Sequence, residues 1–87
     1  MMLEEIIAAR LQAALKLESC EVIDESALHA GHVGAKPEGN THFRIKITSA
    51  ELSAQTRIAA HKQIYALLTD LMNHPIHALA IEIKRSG

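Results

Sequence analysis

The residues Thr41-His42-Phe43-Arg44-Ile45-Lys46-Ile47-Thr48 alternate strictly, with Phe43, Ile45 and Ile47 on one side and His42, Arg44 and Lys46 on the other. A period of two places these side chains on opposite faces of a β-strand, one apolar and one facing water. The pattern returns near the C-terminus, where His77, Leu79, Ile81 and Ile83 interleave with Ala78, Ala80, Glu82 and Lys84. Strands with a single apolar face must be covered on that face, and the segments around them have the period of helices. Leu3, Ile6, Ile7, Leu11, Ala14 and Leu15 recur at spacings of three and four, which predicts an amphipathic helix from Leu3 to Leu17. A second stripe of Ile58, His61, Ile64, Tyr65, Leu68, Leu71 and Met72 predicts a helix from Arg57 to Met72, stopped by Asn73-His74-Pro75.

A short strand fits Cys20 to Asp24, which carries Val22 and Ile23 and runs into the turn-forming Glu25-Ser26. Thr48 and Glu51 have the spacing of a capping box, and Ser53 or Thr56 offers an N-cap for the second helix. The order is therefore helix, strand, strand, helix, strand. It predicts an α+β, or mixed α/β, fold with both helices on one face of a three-stranded sheet. The first two strands are expected to pair antiparallel, and the strand-helix-strand unit to return parallel through a right-handed crossover.

At 87 residues the chain has room for one domain, 1–87, and its core must come from Leu, Ile, Ala and Val because Phe43 and Tyr65 are the only aromatic rings. Nine Lys and Arg against ten Asp and Glu give a formal charge of -1, without the overall basicity that grips phosphate backbones non-specifically. The single cysteine, Cys20, has no internal disulfide partner, and the start Met1-Met2-Leu3-Glu4-Glu5 lacks the features of a signal peptide. No apolar run approaches the ~20 residues that span a bilayer. A soluble protein of the cytoplasm, not bound to membranes, is the expectation.

Between Glu25 and Thr41 stand Gly31, Gly34, Pro37, Gly39 and Asn40, a density of breakers that predicts a long loop. Loops of this length in small domains commonly carry function, and this one holds His29 and His32. If the last strand runs parallel to its predecessor, both begin at the sheet edge from which the loop departs. His29, His32, His42 and His77 then converge. His77 shares the parity of Leu79 and Ile81, whereas His42 falls with Arg44 on the polar face, so His42 is the weaker fourth member. Neutral imidazoles suit zinc, copper or iron. Two or three of them without a thiolate leave a site incomplete, and the missing ligands would come from a partner.

Other motifs point less sharply. His61 on the helical stripe reads as a packed residue, His74 as a complement to a helix end, and Cys20 as a small buried hydrophobe. Gly31-His32-Val33-Gly34 matches the GxxG pattern of KH modules, although here it would join two strands. Arg44, Lys46 and Lys84 can share the exposed sheet face, interrupted by Glu82 and without aromatic stacking partners. Asp24, Glu25 and Ser26 beside His29 have no spacing that specifies a catalytic triad.

Taken as an ordered set, Asp24-Glu25-Ser26 with His29 and His32, Thr41-His42-Phe43, Ser49, Ala60-His61-Lys62 and His77-Ala78-Leu79 resemble the BolA family across nearly the whole chain, from about Leu3 to Lys84. The resemblance implies a class II KH-like fold and a non-enzymatic partner of monothiol glutaredoxins. In such a pair a two-iron two-sulfur cluster is shared, with one cysteine thiolate and glutathione on the glutaredoxin side. On this side it implies His77 as one ligand and a loop residue, His29 or His32, as the other, with no cluster in the isolated chain. The family is also credited with transcriptional roles in stress and cell morphology through DNA binding, for which Gly31, Gly34, Arg44, Lys46 and Lys62 are the candidates. Two departures bear on that role and on packing: Ala60-His61-Lys62 replaces the common Arg-His-Arg, and Leu52 and Ala54 replace the common Phe and Gly. The sequence leaves open which glutaredoxin pairs, whether zinc binds the isolated protein, and whether that protein is a monomer or a weak dimer.

Overall fold

The alternating segments form strands β1 (Ser19–Asp24), β2 (His42–Thr48) and β3 (Ala78–Lys84), hydrogen-bonded in that order into one sheet. The computed structural model describes residues 2–26, 41–72 and 75–85. β1 pairs antiparallel with β2, and β2 pairs parallel with β3. Helix α1 (Leu3–Ala14) precedes the sheet, while a short α2 (Ala50–Ser53), α3 (Arg57–Leu67) and a 3-10 turn (Thr69–Leu71) connect β2 to β3. The mixed α+β order and the strand directions are those the periodicities predict, with α2 and the 3-10 turn added.

Register explains which face is buried. Ile47 lies between Cys20 and Ile83, Ile45 between Val22 and Ile81, and Phe43 between Asp24 and Leu79. The apolar members of these rows meet Ile7 and Leu11 of α1 and Ala60 and Ile64 of α3 in a single core, with Leu52, Leu68 and Ile76. β2 is central, so its Phe43, Ile45 and Ile47 are buried. The outer two strands leave their apolar residues partly covered. Each fully buried Ile or Leu contributes roughly 1.5–3 kcal/mol of transfer free energy.

Four expectations change in detail. α1 stops at Ala14 because Leu15 is already extended (φ -125°, ψ 152°), and Leu15 and Leu17 still pack against the core from the connection to β1. Ser49, not Thr48, caps α2 by accepting from the Leu52 amide at 3.1 Å, and Thr56 caps α3 by accepting from Ala59 at 3.1 Å. The buried stripe of α3 is Ala60 and Ile64, continued by Leu68, whereas Ile58 is 71% exposed and Tyr65 37% exposed. With Ala60, Ile64 and Leu68 facing the core, Ile58 and Tyr65 fall on the outer side of the helix. The helix also ends at Leu67, short of Met72, and the 3-10 turn is tied back to α1 by Arg10, which donates to Asp70 at 2.5 and 2.9 Å and to the Leu67 carbonyl at 3.2 Å. No helix among the described residues is long and apolar enough to cross a membrane.

Candidate metal-binding edge

Parallel pairing brings the starts of β2 and β3 to one edge. The His77 amide donates to the Thr41 carbonyl at 2.7 Å, and the Ala78 amide donates to the same oxygen at 3.2 Å. The His42 and His77 rings lie with centroids 6.5 Å apart and planes 26° from parallel. Here the parity argument needs correction. β3 begins at Ala78, so His77 stands outside the ladder and is exposed. The strand alternation that places Leu79 and Ile81 on the core side does not reach His77, and His42 becomes its neighbour.

The end of β1 is bound into the same edge by residues that have little meaning one at a time. Asp24 Oδ1 accepts from the Ser26 amide at 2.9 Å, the bond of an Asx-turn. That turn brings the Ser26 hydroxyl inward, where its oxygen accepts from the Thr41 amide at 3.0 Å and the His42 amide at 3.2 Å. The Thr41 hydroxyl oxygen lies 3.2 Å from Ser26 Oγ and 2.9 Å from His42 Nδ1. Ser26 is 4% exposed and Thr41 fully buried. Ser26 is thus a structural clasp between the two ends of segment 27–40, with the bonding of a packed residue and not that of an open nucleophile. The sequence suggests a turn at Ser26 and a strand start at Thr41 but not the bond between them, although Asp24-x-Ser26 carries Asx-turn spacing.

His29, His32, Gly31, Gly34 and His74 lie outside the described residues. Among the described residues, no three His, Cys, Asp or Glu side chains gather as a metal cage, and the edge presents the imidazole pair His42 and His77. Imidazole nitrogen at an exposed edge suits a borderline metal or an iron centre completed by other ligands. Cys20 sits far along the sheet, beside Ile47 on the core face, and burial raises its thiol pKa above the ordinary value, which disfavours the nucleophilic thiolate.

The candidate nucleic-acid residues separate. Arg44 Nε donates to Glu25 at 2.8 Å and its Nη1 to Glu82 at 2.6 Å. The bond to Glu25, followed by that to Glu82, raises the guanidinium pKa further, and the two carboxylates offset its charge. Lys46 stands in register between Glu21 and Glu82. Lys62 is on the opposite side of the fold, exposed on α3 beside Arg57, Ile58, His61 and Tyr65 along a groove of about 660 Å³. Arg44, Lys46 and Lys62 therefore do not form one basic surface. His61, read as a packed residue, is half-buried and lines this groove.

Comparison with known proteins agrees with this architecture. A family model described as BolA-like protein matches residues 11–86. The UV-induced protein uvi31 of Schizosaccharomyces pombe is 37% identical over 86 residues, covering 95% of this chain and 84% of that protein. The DNA-binding transcriptional regulator BolA of Haemophilus influenzae is 31% identical over 83 residues, covering 95% of this chain and 77% of the regulator. Among solved structures, the BolA domain of SufE1 from Arabidopsis thaliana has a TM-score of 0.80 at 34% identity, over 94% of this chain and 90% of that one. The family model spans the whole sheet and α3, and the chain belongs to the BolA-like family.

Proposed function

We propose that this protein is a non-enzymatic adaptor of the cytoplasm that pairs with a monothiol glutaredoxin and contributes His77, with His29 or His32, to a shared two-iron two-sulfur cluster. The observation that carries the reading is His77: an exposed imidazole, anchored through its backbone to Thr41, at the edge where segment 27–40 leaves Ser26 and returns. Ser26 and Thr41, which flank segment 27–40, are hydrogen-bonded to each other beside His77. The glutaredoxin would bring one cysteine thiolate and glutathione. Such a cluster supplies electron and cluster transfer, and imidazole ligation raises its potential above that of all-thiolate centres. This chain's histidines must be neutral to bind, which makes its hold on the cluster sensitive to acid. The isolated chain, a monomer or weak dimer, would carry no cluster.

The test is a mixture with cluster-loaded monothiol glutaredoxin, followed by visible circular dichroism. Wild type changes the cluster's spectrum. His77→Ala leaves the glutaredoxin spectrum as it was, and one of His29→Ala and His32→Ala does the same. A wild-type spectrum from His77→Ala removes that residue from the ligand set.

A second reading, a DNA-binding regulator, is favoured by the likeness to the DNA-binding transcriptional regulator BolA of Haemophilus influenzae. It would use Lys62 and the Gly31 to Gly34 segment, since Arg44 is held by two carboxylates. Binding of that kind weakens steeply with salt, with a slope of about -0.9 per phosphate contact, so a gel shift unaffected by salt contradicts it.

A further inference from the structure

β3 is an edge of the sheet, and one side of its backbone has no strand beside it. In a parallel ladder the N–H and C=O of one residue point to the same side, and the side alternates along the strand. The Ala78 amide donates to the Thr41 carbonyl and the Lys84 carbonyl accepts from the Ser49 amide at 3.1 Å, so the even-numbered residues of β3 turn toward β2. Leu79, Ile81 and Ile83 then turn outward. The Tyr65 hydroxyl donates to the Leu79 carbonyl at 3.4 Å, which agrees with that parity and covers one outward acceptor. Among the described residues nothing pairs with the outward amides and carbonyls of Ile81 and Ile83.

Edge strands invite pairing with another chain unless they are short, twisted away by a bulge or interrupted by proline. β3 has seven residues, no proline, and an unbroken register with β2 from Ala78 to Lys84. A groove of about 540 Å³ runs beside it, between the edge at Ile81 and Ile83 and the helical side at Leu52, Ala60 and His61. Its charge is one-sided. Arg57, Lys84 and Arg85 stand along it, and among the described residues none of them has an ion-pair partner. Glu82, the acidic residue of the lining, is held by Arg44 at 2.6 Å.

We propose that the free edge of β3 docks an extended, acidic segment of a partner protein, which adds to the sheet as a fourth strand. The segment's backbone pairs with Ile81 and Ile83, its alternate apolar side chains enter the groove, and its carboxylates meet Arg57, Lys84 and Arg85. Strand addition of this kind draws affinity from main-chain bonds and specificity from alternate side chains. A nucleic acid has no amides and carbonyls at strand spacing to satisfy this edge, and the described lining holds no Phe, Tyr or Trp on which bases stack. β1, at the other edge, carries Glu21 and Asp24 and repels the same segment. The site uses neither His77 nor segment 27–40, so it is independent of the cluster reading.

The test is titration of the nitrogen-15-labelled chain with an end-blocked peptide alternating valine and glutamate, matched to the seven residues of β3. The Ile81 and Ile83 amide protons should move downfield as they gain acceptors, and their hydrogen exchange should slow. The same peptide with every amide N-methylated keeps its side chains and charge but loses its donors, and should not bind. A valine–lysine peptide of equal length should bind more weakly by about tenfold or more. Arg57→Glu combined with Arg85→Glu should weaken the glutamate peptide similarly and leave the far-ultraviolet circular dichroism as in wild type, because both side chains are exposed. Unmoved Ile81 and Ile83 amides, binding of the methylated peptide as tight as that of its parent, or equal affinity for the lysine peptide overturns the docking site. So does either competing occupant. Shifts at this edge that grow with protein concentration alone would assign it to a second copy, and shifts caused there by a single-stranded thymidine oligonucleotide but not by the peptide would assign it to nucleic acid.

Discussion

Replacing Ser26 by alanine removes one oxygen and leaves two backbone donors without their acceptor. The Thr41 amide is buried and the His42 amide half-buried. An unsatisfied buried polar group costs about 1–3 kcal/mol. Counting the first in full and discounting the second for its access to water gives a loss of about 2–4 kcal/mol. At about 0.05–0.15 kcal/mol per residue, a chain of 87 residues has roughly 4–13 kcal/mol in all, so a single hydroxyl accounts for a large share. The midpoint of thermal unfolding should fall by about 8–30 °C, taking about 4–8 °C per kcal/mol for a domain of this size. Urea unfolding followed by far-ultraviolet circular dichroism measures the loss directly, with an unchanged m-value showing that the same surface is exposed. Ser53→Ala is the contrast. Its hydroxyl donates to the Lys84 carbonyl at an exposed site, and its loss should cost less than about 1 kcal/mol. If Ser26→Ala costs no more than Ser53→Ala, the clasp between the ends of segment 27–40 is not what holds this edge.

Ile45→Ala empties the centre of the core, where Ile45 is fully buried, and should cost about 2–5 kcal/mol in urea unfolding. Thr56→Ala removes the cap of α3 and should cost about 0.5–2 kcal/mol in the same assay. The Arg10 hydrogen bond lowers the pKa of Asp70 from its ordinary value of 3.8. A carboxylate whose pKa is lower folded than unfolded adds stability above the unfolded value and loses it as pH falls through the folded one. Thermal melts taken downward from about pH 5 should therefore show a steeper loss in wild type than in Asp70→Asn, a small difference because the pair is exposed. Parallel curves would mean that the ion pair adds nothing.

The strands could be read because each reports its own environment: the alternation around Ile45 and Ile81 is a direct record of one buried and one wet face. Strand directions followed from chain order and connection length. The end of α1 could not be read, since Leu15 and Leu17 contact the core from an extended connection and look like a continuing helical stripe. The phase of α3 was misread for a related reason: apolar Ile58 and Tyr65 suggest an inward face, but it is the row of Ala60 and Ile64 that is buried. At the candidate edge, the placement of His77 beside the start of β2 followed from the expected parallel pairing. The clasp was not, because Ser26 and Thr41 are small polar residues fifteen positions apart whose role exists only once the strands have paired. His42 was set aside by a parity rule that stops at the strand's first residue, one position short of where His77 stands.

The most direct test of the account uses this chain labelled with nitrogen-15 at histidine, paired with unlabelled monothiol glutaredoxin, and the shared cluster reduced for electron–nuclear double resonance. Two strongly coupled imidazole nitrogens from this chain are predicted, one of which disappears in His77→Ala. A reduced cluster in the complex without strong coupling to any labelled histidine would contradict the account.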